Sequence, residues 1–115
     1  MRYFLNSSRF LKVWFAALAT VIASAGARAG DAVAGQAIFV SVCSSCHGMD
    51  GIGTLDYVPS FSRCERLDWP DAKLLVSVRD GVGGRMPPWG DTITEREILD
   101  AIAYARTFCK SGRVR

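Results

Sequence analysis

Cys43-Ser44-Ser45-Cys46-His47 is the run of this 115-residue chain whose residue types and spacing most plainly do chemistry. Two thiols three residues apart lie on one turn of helix, and the histidine follows directly. This is C-x-x-C-H, the pattern by which haem c is attached covalently. The thiols reach two vinyl groups on neighbouring pyrrole edges and add across them as thioethers. The adjacent imidazole then comes up beneath the iron as a ligand. His47 is the only histidine in the sequence, so ligation by two histidines is excluded by count. Two other readings compete. A thioredoxin-like redox pair needs a βαβ setting, and the sequence shows no strand alternation of useful length. A structural zinc site could draw on Cys43, Cys46, His47, Cys64 and Cys109, but such sites usually pair two short-spaced knuckles. Cys64 and Cys109 are far apart in sequence.

Three helices are expected to position this motif. The first is capped by Asp31 and runs through AVAGQAIFVSV to about Val42. The second follows Pro70, a residue suited to a first helical turn because its missing N–H needs no partner there. Leu74, Leu75 and Val78 form its apolar face, and Gly81 ends it. In the third, Thr94-Glu95-Arg96-Glu97 forms a capping box. Ile98, Ala101, Ile102, Ala105 and Phe108 then repeat at three and four, the period of a buried helix face. Gly- and Pro-rich loops at 48–61 and 81–91 join the helices. The fold class is all-α, and the chain has room for one domain.

The first 29 residues are expected to lie outside that domain. Arg2, Arg9 and Lys12 precede a short apolar run, Val13 to Ala25, and Ala27-Arg28-Ala29 supplies a small-x-small cleavage pattern. Thirteen mostly small residues fall short of the roughly 20 that span a bilayer, so a signal peptide cut after Ala29 is favoured over a retained anchor. The expected mature form, 30–115, has no membrane span and is exported to the periplasm. The formal +3 of the full chain then becomes −1, because four of fourteen bases and none of eleven acids precede the cut. Nucleic acid is therefore not an expected partner. Domains this small are often stapled by a cofactor, a metal or disulfides.

On these motifs the chain resembles a class I cytochrome c, over nearly all of its mature length. Gly35 and Phe39 resemble that family's first-helix pair, which packs against an aromatic of the last helix, here Tyr104. Pro59 resembles the proline whose carbonyl accepts the N–H of the iron-ligating histidine. Arg85-Met86-Pro87-Pro88-Trp89 resembles the loop that brings a methionine sulfur to the far side of the iron. The resemblance implies a small cytochrome c fold, three main helices wrapped around one covalent haem c, with His47 and Met86 as axial ligands. The MPPWG loop is similar to that of small bacterial periplasmic carriers, some paired with dehydrogenases.

The residues can also be weighed on their own. Pro59 could be a plain turn proline. Met1 leaves with the signal peptide and Met49 lies two residues past His47, on its side of the haem. Met86 remains, on a loop stiffened by Pro87 and Pro88. A core methionine with five-coordinate iron is the alternative. Gly35 costs helix stability unless a second helix approaches closely. Trp69 and Trp89 could donate indole N–H groups to haem propionates or could be rim packing, and Arg85 is an equal candidate. Cys64 and Cys109 form an even remainder in an exported chain, which suggests a disulfide; buried free thiols or an intermolecular link are the alternatives. The family resemblance does not extend to these two.

The expected function is one-electron transfer through an exposed haem edge, to redox proteins that dock transiently. No acid–base pair or second metal is visible, so no enzyme is expected. Two other classes stay open: a dedicated haem subunit of a dehydrogenase or reductase complex, and a ligand sensor should Met86 be labile.

Overall fold

The computed structural model describes residues 28–109. The predicted signal peptide falls outside this range except for Arg28 and Ala29. The helices, in chain order, are α1 (Ala32–Ile38), α2 (Ser44–His47), α3 (Asp71–Asp80) and α4 (Glu95–Arg106). No strand occurs among the described residues; the one bridge pairs Val82 with Met86. The class is all-α, as the sequence predicts.

The first helix begins where expected. The Asp31 carboxylate accepts from the N–H of Val33 (2.8 Å) and Ala34 (3.3 Å), an N-cap that satisfies two otherwise orphaned donors. α1 itself ends at Ile38, short of the predicted Val42, but helical backbone does not stop there. A five-residue π-helical turn, Phe39–Cys43, joins α1 to α2, so helical backbone continues through the whole C-x-x-C-H motif. The Ser41 and Ser44 hydroxyls take the carbonyls of Ile38 (3.1 Å) and Val40 (2.6 Å). Such back-bonding competes with the helix ladder and eases a local widening. Turns of this kind gather at functional sites, and this one ends on Cys43.

α4 is the centre of the fold. Thr94 and Glu97 make the reciprocal capping box read from the sequence. Ile98, Ala101, Ile102 and Ala105 are buried; Phe108 lies beyond the last helical residue and packs, partly buried, on the core. Phe39 and Ile98 are the most deeply buried large side chains, at 1% and 0% exposure. Burial on that scale stabilises by roughly 1.5–3 kcal/mol per side chain.

α1 crosses α4 at Gly35, where a Cβ would run into the carbonyl of Asp100 and the N–H of Ala101. Backbone therefore meets backbone at the crossing. Tyr104 serves the neighbouring turn, its ring 5.4 Å from that of Phe39, with Phe108 5.2 Å away on the same ring. Asp100 locks the crossing. This buried carboxylate accepts from the Asp31 N–H (2.7 Å) and from Arg96 (2.8 Å). The sequence reading passed over it, because its only signal is a charged residue between buried positions.

Arg106, at the end of α4, donates to the carbonyls of Leu67 (3.2 Å) and Trp69 (3.0 Å) and pairs with Asp71. It thereby fastens the segment that leads into α3. Beside it the sulfurs of Cys64 and Cys109 stand at bonding separation, with Cα atoms 4.8 Å apart. α3 follows Pro70 and ends at Gly81 as read, but no residue of α3 is fully buried. Its apolar positions Leu74 and Val78 line a cavity instead. No helix among the described residues is long and apolar enough to cross a membrane.

Candidate functional site

α3, α4 and the C-x-x-C-H segment enclose a cavity of about 610 Å³, within the roughly 300–1,000 Å³ range of ligand pockets. Cys43, Cys46, His47, Pro59 and Met86 all line it. These are residues the sequence reading singled out, brought to one space from three separate segments. Trp69, Trp89 and Arg85 line it too. Phe39, Phe61, Leu67, Ile98, Ala101 and Ile102 give it apolar walls, a setting for a large flat hydrophobic group.

His47 stands at the end of α2. The loop that follows folds back over the motif: the Thr54 N–H and hydroxyl both reach the Cys46 carbonyl, at 2.9 and 3.0 Å. The imidazole stacks on Phe61, centroids 4.5 Å apart and planes 9° from parallel. Phe61 carried no signal in the sequence beyond its aromatic character. Burial pushes the imidazole pKa down, and the Pro59 carbonyl opposes that trend. The neutral ring is the form that binds a metal. Nδ1 is buried and has no partner at full hydrogen-bond geometry; the Pro59 carbonyl is the acceptor close enough to raise the pKa.

The two thiols differ. Cys46 is exposed, whereas Cys43 is partly buried and burial raises its thiol pKa to about 11. Cys64 and Cys109 face each other and not the motif. Among the described residues no group of three or more His, Cys, Asp or Glu side chains is arranged to hold a metal ion.

Met86 is presented by a tight turn. Val82 and Met86 exchange two backbone hydrogen bonds (2.9 and 3.2 Å) across Gly83 and Gly84, both at positive φ. Nothing lies near enough to meet a Cβ at either glycine, so these positions need glycine for conformation and not for space. Beyond the prolines, Trp89 and Gly90 donate to the Val78 and Arg79 carbonyls, each at 3.0 Å. The loop is tied at both ends. Met49, by contrast, is 63% exposed and off the cavity.

One histidine, two thiols and one thioether around a mainly apolar cavity fit a covalently held haem. The His47 ring, stacked on Phe61 and lining the cavity, is held in one plane with its neutral form favoured. The fold and this donor set define a c-type cytochrome, with haem c and its iron as cofactor. Residues 30–104 match the family described as "Cytochrome C oxidase, cbb3-type, subunit III", and the chain belongs to that family of cytochrome c domains. Among solved structures it is similar to the c-type cytochrome KustC0563 (24% identity, TM-score 0.60), covering 66% of this chain and 98% of that one. Cytochrome c6 from the diatom Phaeodactylum tricornutum matches at 23% identity and TM-score 0.58, over 68% and 93%. Cytochrome cL from Hyphomicrobium denitrificans matches at 27% and 0.55, over 65% of this chain and 45% of that one. Electron transfer is the work of such domains.

Proposed function

We propose that the chain is a periplasmic one-electron carrier, cut after Ala29, with haem c on Cys43 and Cys46 and iron held between His47 and Met86. The observation that carries this reading is that Met86 lines the same cavity as the motif while Met49 does not. The haem, when bound, supplies the reversible one-electron couple of its iron. The chain's own residues keep the coordination alike in both oxidation states. Phe61 fixes the plane of the His47 ring, and the low pKa of that ring keeps it neutral. The Val82–Met86 turn and the bonds of Trp89 and Gly90 to α3 hold the sulfur in place. Little then rearranges on electron transfer. Redox proteins would dock transiently at the haem edge beside Cys46, which is exposed and lines the cavity. Cys64–Cys109 acts as a structural disulfide.

A second reading, a dedicated haem subunit of a larger complex, is favoured by the description of the matched family as an oxidase subunit. The ligand-sensor alternative differs from both at Met86. Thioether sulfur favours ferrous over ferric iron. Met86→Ala should therefore lower the potential, remove the sulfur-to-iron charge-transfer band and open the iron to carbon monoxide. Wild type should resist carbon monoxide at neutral pH. Equal uptake by wild type and variant would mean Met86 is not a firm ligand and would favour the sensor.

A further inference from the structure

The cavity is apolar almost throughout, yet two guanidinium groups line it and no carboxylate does: Arg66 and Arg85. The other arginines of the folded core are occupied. Arg63, Arg79, Arg96 and Arg106 each pair with a carboxylate. Arg66 and Arg85 pair with none, and donate to no acceptor, among the described residues. Each instead lies over an aromatic face. The Arg66 guanidinium carbon is 5.0 Å from the Trp69 ring centroid, and that of Arg85 is 5.1 Å from Tyr57. A cation–π contact of this kind uses no N–H donor of the guanidinium, so its planar fork stays available to a bidentate acceptor.

Arg66 adds a conformational signal. Its backbone is left-handed, with φ 63°, a region that costs a residue with a Cβ and that asparagine or glycine would occupy more cheaply. Strain of this kind gathers at ligand clamps. Trp69 is itself held between Arg66 and the Lys73 ammonium, 3.3 Å from its centroid. Its ring thus serves as a platform for Arg66.

We propose that Arg66 and Arg85 anchor the two haem propionates, one carboxylate each. Arg66 acts from the segment before α3 and Arg85 from the methionine loop. The assignment rests on the haem reading above. Haem carries two carboxylates that an apolar cavity cannot solvate, and these are the two unpaired cations on its wall. Arg85 also adjoins Met86, so its pairing would tie the ligand loop to the haem edge.

Each anchor neutralises a negative charge close to the iron, and its loss should favour the ferric state. The test uses purified holoprotein with carbon-13-labelled propionates. Haem attachment is checked by mass, followed by redox titration and infrared spectra of the propionate carboxylates. Arg66→Gln and Arg85→Gln should each lower the potential and shift one of the two carboxylate bands, and the double variant should shift both. Arg63→Gln, whose arginine pairs with Glu65 on the surface, is the control and should do neither. Arg→Lys at either position should hold most of the potential while moving the band, because charge is kept and the planar fork is lost; it is measured in place of any glutamine variant that does not accumulate. Haem-loaded Arg66 and Arg85 variants whose bands and potential match the control would overturn the anchor assignment alone. Wild type without covalent haem would overturn the cytochrome reading, and the anchors with it.

Discussion

At the residue scale, the meeting of Cys43, Cys46 and His47 in one cavity was legible because covalent chemistry demands contiguous residues at fixed spacing. That Met86 and not Met49 would reach the same cavity was legible by elimination, since a chain with three methionines leaves few choices. The places of Phe61, Asp100 and Arg66 were not. They come from contacts with distant segments, and neither an aromatic nor a charged residue announces its neighbour. Gly35 lies between these cases. Its closeness to the last helix was expected, but what it meets is the Asp100–Ala101 backbone and not the Tyr104 ring. A side chain can turn aside and a helix backbone cannot. Gly35→Val should therefore destabilise the holoprotein by at least the roughly 1–3 kcal/mol of ordinary overpacking. Gly35→Ala should already be costly. Chemical denaturation decides it: an unchanged midpoint for both variants would mean the helices do not cross at this position.

At the element scale, α4 followed the sequence closely, because its cap and its period are both local. α1 departed from it. The π turn at Phe39–Cys43 answers to the need to present two cysteines and a histidine to the cavity while Gly35 and Phe39 stay on α4, and no local pattern states that need. α3 read as an amphipathic helix with a buried face, yet its Leu74 and Val78 line the cavity and no residue of the helix is fully buried. The cap of α4 gives a pH prediction. The Thr94 backbone N–H, and then its hydroxyl, hold the Glu97 carboxyl below the usual carboxylate range. A carboxylate whose native pKa lies below its unfolded value contributes stability that is fully present above the unfolded pKa, about 4.3. That contribution is lost as pH falls through the native value. Glu97→Gln should flatten the fall of the thermal midpoint between about pH 5 and pH 3. Thr94→Ala should weaken the same pH dependence only in part, because the backbone N–H that donates to Glu97 stays, and cost about 0.5–2 kcal/mol at neutral pH. An unaltered acid limb in both variants would show that the box does not form.

At the scale of the whole molecule, a short chain encloses a large cavity, a setting in which cross-links count. The Cys64–Cys109 bridge proposed above would close 45 residues, a loop whose constraint is worth roughly 4 kcal/mol on the chain-entropy account. The Cys64→Ser, Cys109→Ser holoprotein should lose stability on that order and remain a monomer. Alkylation of both cysteines in unreduced wild type would show that they are free. A haem held by Cys43 and Cys46 would be the larger staple, since the cavity walls would pack on it. The direct measurement is the mass of the purified periplasmic protein after acid–acetone treatment. The chain should begin at Gly30 and retain one haem, because thioethers do not dissociate. Haem that extracts into the solvent, or a mass equal to the bare polypeptide, would contradict that.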